Sequence, residues 1–452
     1  LGYTAFLRSG REAYFYGGEA LQIVISGARL LDPAHGIDKV ADVLIVDGRV
    51  AAVGAGLVGT GISDGAEVIS AAGKVLVPGF VDLHVHLREP GRTHKETIQT
   101  GCRAAAAGGF TAVCAMPNTW PTVDSVALVQ QARESAKSAA VRCYPLAAVT
   151  LAQKGATLAP HRELRDAGAV ALSDDGEPVM NARLFYEALQ GTRDHGLPIV
   201  AHCEDKTLSA GGAMHAGGRA AALGIPGIPA AAEEAMTARD IALARATGGK
   251  LHIAHVSTKG AMLLIRQAKD SGLDITCEVT PHHLVLTDRD VEAADANTKM
   301  NPPLRPQADV EALRAALREG YIDCIATDHA PHHKDEKALP YTEAPFGIVG
   351  LETALPLLLT ELVDKGVLGL SALIALLSTR PAKLFGLPVG AMVVGGTADF
   401  TLIDLKLTRT VEPDKFYSLG KNTPFGGRRL TGWPILTMVA GKIVMKDGVV
   451  YD

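Results

Sequence analysis

The sequence predicts an α/β fold: a (β/α)8 barrel of the TIM type, with a small flanking β-sandwich domain built from both chain ends. Three observations predict it. Apolar, strand-like runs recur at 75–86, 111–117, 142–149, 170–174, 198–203, 251–257, 275–281 and 323–327. Helical patterns alternate with them, for example at 124–140, 181–195, 232–247, 259–271 and 309–319, and one at 351–365 follows the eighth run. Strands alternating with helices imply parallel pairing through right-handed crossovers, and eight such units over ~300 residues suit a closed barrel. No G-x-G-x-x-G turn follows the first run, which argues against an open dinucleotide-binding sheet. The two ends of the chain follow a different pattern from this middle part.

Residues 1–20 carry Arg8, Arg11, Glu12 and Glu19 and lack an apolar h-region, so they read as an extension and not as a signal peptide. Residues 21–31 and 41–53 alternate apolar and polar side chains, and Asp47-Gly48 between two β-rich runs signals a hairpin. The tail repeats the pattern at 397–407 and 435–450, with Asp447-Gly448 as a second hairpin signal. Neither end is long enough for a comfortable core alone, so both pair into one domain. The expected division is 21–74 and 388–452 for that β domain and 75–387 for the barrel.

Composition limits the function classes. With 452 residues, 47% hydrophobic and 21% charged, the chain buries a large core. A net charge of -5 gives no reason to expect nucleic acid or an anionic membrane as partner, and no apolar run approaches the ~20 residues of a membrane-spanning helix. The six cysteines form no C-x-x-C pair and read as buried free thiols of a cytoplasmic protein.

The chemistry gathers at the ends of the strand runs. Alternation along the first strand puts Asp82, His84 and His86 on one face, and two imidazoles two residues apart can grip one metal ion. The fourth run ends in Ser173-Asp174-Asp175 and the fifth in His202-Cys203-Glu204-Asp205. The sixth ends in His255, and the eighth in Asp328-His329-Ala330-Pro331-His332. In a barrel these C-terminal strand ends share one mouth, so four imidazoles and two carboxylates meet there, enough for two metals with positions left for water and substrate. Weighed against this, His252 and His195 read as core residues, and His35, His94, His161 and His215 as solvated ones. The Asp174-Asp175 doublet also fits a turn or a helix cap.

Several stretches in order carry a resemblance: DLHVHLREPG at 82–91, AMPNTWP at 115–121, SDD at 173–175, HCED at 202–205, NPPLR at 301–305, TDHAPH at 327–332, PFGIVGLET at 345–353 and NTPF at 422–425. On these the chain resembles the amidohydrolase superfamily and, within it, class I dihydroorotases, over about residues 21–452. The resemblance implies zinc, two ions favoured over one, held by His84, His86, His202, His255 and Asp328. Many relatives bridge the metals with a carboxylated lysine; residues 169–178 hold no lysine, and family spacing selects Asp175 as the sixth ligand. The implied substrate contacts are His86, Arg88, Asn118, Asn301, His332 and the backbone at Phe346 and Gly347. A planar guanidinium suits a carboxylate, though Arg88 also reads as a surface partner of Glu89.

The implied reaction is the reversible hydrolysis of dihydroorotate to N-carbamoyl-L-aspartate in pyrimidine (UMP) biosynthesis, with Asp328 moving the proton. Two rivals are a hydantoinase, dihydropyrimidinase or allantoinase, and a non-catalytic scaffold. A homodimer, and a complex with aspartate carbamoyltransferase, are the assemblies the resemblance implies.

Overall fold

The computed structural model describes residues 4–7, 13–16, 22–58, 66–292 and 295–451. Most of the expected extension at 1–20 lies outside them; within it, Thr4–Leu7 pairs antiparallel with Ala13–Tyr16.

Eight parallel strands form the centre. Phe80–Val85, Phe110–Ala115 and Arg142–Pro145 pair in that order. Leu172–Ser173, Ile199–Ala201, Leu251–Ile253, Ile275–Val279 and Cys324–Ile325 pair in the same order. Single parallel bridges join the two groups at both seams, Ala147 with Leu172 and Val85 with His329. At the second seam the His86 amide donates to the His329 carbonyl at 2.8 Å. The strand order therefore closes on itself.

Helices flank the ring because their apolar faces need cover. Ala182–His195 is opened by Asn181, whose side chain accepts from the amides of Arg183 and Leu184, and is closed by left-handed Gly196. The main apolar cluster joins Val113, Ile199 and Ile253 of the strands to Leu164, Phe185, Met236 and Ile265 of the helices.

Two expected helices are markedly shorter than their patterns. The 124–140 pattern forms a helix at Val126–Ser135 and then a 3-10 turn. The 351–365 pattern starts at Ala354 and continues as a π-helical turn over Leu359–Val363.

The 75–86 run is two strands, not one. Val75–Pro78 pairs with Phe400–Thr410 and Gln22–Asp32, and only Phe80–Val85 enters the ring. Pro78 offers no amide, and a Cβ on Gly79 would lie 2.2 Å from the Thr111 side chain, so the chain changes sheets at that pair. Val75–Pro78 thus sits at the centre of a nine-stranded sheet built from both chain ends. The sheet has its own core, including Ile25, Leu30, Val43, Leu76, Phe400 and Met438. Both hairpin signals fall on turns: Val46 pairs with Arg49 across Asp47-Gly48, and Lys446 with Val449 across Asp447-Gly448. All four turn residues have positive φ, as a type I′ turn requires.

Candidate active site

The first strand delivers its polar face to the ring mouth. The Asp82 carboxylate accepts from the amides of His84 and Thr327, tying the first strand to the eighth beneath the site. Complete burial pushes its pKa up to about 7. His84 donates from Nδ1 to Glu278 Oε1 at 2.7 Å, and its Nε2 has no hydrogen-bond partner although fully buried. That nitrogen stands 3.5 Å from Asp175 Oδ1 and 3.5 Å from Asp328 Oδ1. His86 donates from Nδ1 to Asn118 Oδ1 at 2.9 Å and turns Nε2 to Asp328 Oδ1 at 3.0 Å.

The fifth and sixth strands supply the other two imidazoles. His202 donates from Nε2 to Glu204 Oε2 at 2.9 Å, while its Nδ1 faces His255 Nε2 at 2.8 Å. Asp175 is the common neighbour. Its oxygens stand 3.5 Å from His84, 3.5 Å from His86, 3.4 Å from His202 and 3.4 Å from His255. Its neighbour Asp174 turns away, accepting from the Val149 and Thr150 amides and the Thr150 hydroxyl. Asp328 and His255 both adopt positive φ, 49° and 31°, a costly backbone for such residues that aims their side chains at this space.

The donor set fits divalent metal. Two overlapping triads, His84–Asp175–His255 and His84–His86–Asp328, each hold their ligand atoms within 4.8 Å of one another. The outer nitrogens of His84, His86 and His202 are occupied by Glu278, Asn118 and Glu204, which leaves the inner nitrogens free for a cation. The orphaned His84 Nε2 is the sharpest sign, since a buried polar atom without a partner is costly. Burial works against charge on His84, yet the Asp328, Asp175 and Glu278 carboxylates hold its pKa well above the ordinary histidine value. So many carboxylates around one imidazole call for a positive charge, whether proton or metal. His252, Glu278 and Cys324 form a third buried triad, but there His252 is engaged by Glu278 and Thr276, consistent with a core histidine.

The mouth opens into a cavity of about 580 Å³ lined in part by His86, Arg88, Asn118, Asn301, His332 and Phe346. Arg88 is 7% exposed and does not pair with Glu89, whose carboxylate accepts from the Ile98 amide instead. The strand ends at Val85, so Arg88 reaches the cavity through a turn, with φ at 61°, not by continued alternation. Its Nε donates to the Pro331 carbonyl at 3.2 Å, and Nη2 lies 3.2 Å from His332 Nε2. Asn301 donates to Glu204 Oε2 at 3.0 Å. Gly347 stands behind Phe346, its amide donated to the Lys299 carbonyl.

Four of the histidines set aside earlier are placed as follows. His195 is buried, as expected. His161 and His215, expected in solvent, are buried too: His161 bonds to the Val149 carbonyl and His215 to Arg305. Polar sequence neighbours said nothing of the walls folded over them. His94 is exposed. Sequence reasoning missed Glu278, although a lone carboxylate in the apolar run 275–279 was a usable signal. It also missed Lys95, whose Nζ lies 3.3 Å from His332 Nδ1 and which no local pattern marks.

Residues 73–261 match the family model described as Dihydro-orotase-like. A curated relative named dihydroorotase from Pelotomaculum thermopropionicum is 51% identical over 95% of this chain and 100% of its own length. The chain belongs to the dihydroorotase family. Dihydroorotases from Anoxybacillus flavithermus, 49% identical over 95% of this chain and 96% of the relative, and Geobacter metallireducens, 47% identical over 94% and 100%, agree. Among solved structures, L-hydantoinase from Arthrobacter aurescens superposes with a TM-score of 0.85 at 30% identity, covering 95% of this chain and 97% of that one. A dihydropyrimidinase from Brevibacillus agri gives 0.83 at 26% identity, covering 95% and 96%. The dihydroorotase family member thus shares its mixed α/β fold with hydrolases of other cyclic amides.

Proposed function

We propose that this protein is a dihydroorotase, hydrolysing the ring amide of dihydroorotate to N-carbamoyl-L-aspartate and running the cyclisation in reverse. The observation that carries the reading is the buried Arg88 guanidinium beside the imidazole cage, with no carboxylate in salt-bridge reach among the described residues. Buried charge demands a counter-charge, and the carboxylate of dihydroorotate supplies one. Hydantoin and dihydrouracil carry none, so such a residue has no comparable use in their hydrolases.

The fold reading that goes with it is a (β/α)8 barrel at 75–387 flanked by a β domain from 21–74 and 388–452; the closed ring of parallel strands supports it. His84, His86, Asp175, His202, His255 and Asp328 would hold zinc, with two ions favoured because Asp175 faces all four imidazoles. Zinc supplies Lewis acidity and a nucleophile at neutral pH.

The chain's own residues do the rest. Arg88, Asn118 and His332 grip the carboxylate and orient the ring amide toward the cage. Asn301 adds a donor at the ring, and Phe346 walls one side against water. Asp328, within reach of His86, accepts a proton as the amide carbon is attacked and returns it to the departing ring nitrogen. In cyclisation the same carboxylate reverses these roles.

No helix among the described residues is long and apolar enough to cross a membrane, in keeping with a cytoplasmic enzyme of small molecules. A homodimer, or a complex with aspartate carbamoyltransferase, belongs to the same reading and is tested by sedimentation with and without that enzyme. The deciding experiment is turnover by zinc-loaded protein of L-dihydroorotate, dihydrouracil and hydantoin in parallel. Hydrolysis of dihydroorotate alone is expected. Preference for the uncharged rings overturns the assignment in favour of a hydantoinase, and no turnover at all favours a scaffold.

A further inference from the structure

His332 sits between the carboxylate grip and a charged pair that the mechanism above does not use. Its Nε2 lies 2.8 Å from the Phe346 carbonyl oxygen and 3.2 Å from Arg88 Nη2. Its Nδ1 lies 3.3 Å from Lys95 Nζ and 3.5 Å from Glu336 Oε2. Lys95 and Glu336 are themselves paired at 2.8 Å, and Lys95 has only 11% of its side chain exposed. The pair spans the molecule in sequence: Lys95 is on the loop after the first ring strand, Glu336 in a short helix after the eighth.

These contacts restrict the ring's hydrogen. A neutral imidazole has one N–H donor and one acceptor nitrogen. Burial and the neighbouring Arg88, Lys95 and Lys337 charges push the His332 pKa far down, so the ring is neutral. A carbonyl oxygen at 2.8 Å cannot face a lone pair, so Nε2 carries the hydrogen. Nδ1 then accepts, and the ammonium of Lys95 is the donor within reach. With hydrogen on Nε2, Arg88 Nη2 and His332 Nε2 are two donors 3.2 Å apart that have nothing to give one another. An anion placed at the cavity wall receives from Arg88 and shares the single Nε2 hydrogen with the Phe346 carbonyl in a three-centre bond.

We propose that the Lys95–Glu336 pair is a positioning device: it holds His332 in the tautomer with hydrogen on Nε2, so that His332 and Arg88 together bind the substrate carboxylate. This rests on the dihydroorotase reading for the identity of the anion, but not for the tautomer. Without Lys95, the partner remaining at Nδ1 is the Glu336 carboxylate, an acceptor, which draws the hydrogen to Nδ1. Nε2 then turns a lone pair toward the Phe346 carbonyl and the substrate carboxylate, and both are repelled.

Nitrogen NMR of protein labelled with ¹⁵N-histidine, with His332 assigned from the H332Q spectrum, reads the tautomer directly. The expected wild-type state is Nε2–H. Lys95→Met should convert it to Nδ1–H, raise KM for dihydroorotate by about tenfold and leave kcat within about twofold, the size expected for one hydrogen bond to a charged group. Lys95→Arg, which keeps a cationic donor, should restore both readouts. A wild-type Nδ1–H state overturns the proposal without any variant. So does a folded Lys95→Met protein with unchanged tautomer and KM. Absence of dihydroorotate turnover in the wild type instead overturns the functional reading, and the spectra alone then decide the role of the pair.

Discussion

Replacing Glu278 by Gln tests how the cage is held. Glu278 is fully buried and accepts from His84 Nδ1 at 2.7 Å, from His252 Nε2 at 3.2 Å and from the His255 amide at 3.4 Å. Glutamine has the same shape. Its oxygen can keep the His84 bond while its amide group donates to His252, whose own hydrogen moves to Nδ1 and onto Thr276 Oγ1, 2.8 Å away. The geometry survives, and only the charge behind His84 is lost. A carboxylate behind a ligating histidine orients the ring and raises its basicity, and removing such a partner lowers metal affinity by about 10- to 100-fold, ~1.4–2.7 kcal/mol. Competition for zinc against a chromophoric chelator measures this, with thermal unfolding of the metal-free proteins as the control. Zinc affinity within twofold of wild type in a folded E278Q protein would refute the reasoning, because His84 would then need no carboxylate to present its inner nitrogen.

Asp328→Asn should keep most of the bound zinc, measured by elemental analysis, yet lower kcat by about 100-fold or more, since the amide cannot shuttle a proton; full activity would remove Asp328 from the mechanism. Gly347→Ala places a Cβ 2.4 Å from the Ala330 carbonyl oxygen and 2.8 Å from the His332 ring at a φ of +153°. It should raise KM for dihydroorotate and cost roughly 1–3 kcal/mol in chemical denaturation. Arg305→Met strands Glu233, whose partner guanidinium lies 3.2 Å away with both side chains buried, and should destabilise by ~3–5 kcal/mol. Glu233 also sets an acid limb. Burial opposes its charge, but Arg305 and donors from Ser257 and Thr258 outweigh it and bring its pKa below the usual 4.5. Its stabilisation is therefore present above that value and lost as pH falls through the depressed native pKa. Denaturation of Glu233→Gln across that window should show a shallower acid slope than wild type.

How far the sequence could be read depended on whether the signal was local. The strand and helix periods, the Asp47-Gly48 and Asp447-Gly448 turns and the polar residues at strand ends are local, and the six candidate ligands fall together where those ends meet. The break at Pro78-Gly79 was visible as residues but not as a change of sheet, because Val75–Pro78 is claimed by partners from positions 22–32 and 400–410. His161 and His215 were misplaced for the same reason: their walls come from distant segments. Arg88 was found for its chemistry, but the turn with φ of 61° that carries it past the strand end at Val85 left no mark in the sequence. Lys95 and Glu336 carry no mark in their own neighbourhoods, and only the closed ring makes them a pair.

The seam between the first and last ring strands has a consequence for how the protein is made. His86 and Asp328, 3.0 Å apart, are separated by 242 residues. At ~5–20 residues per second of synthesis, the first histidines leave the ribosome on the order of ten to fifty seconds before their last carboxylate partner. During that interval Asp175, His202 and His255 follow the first pair out, but the cage still lacks its last carboxylate. If the cage holds zinc as proposed, full-affinity loading is confined to the completed chain, and the metal would act as a late lock on a slow, long-range topology.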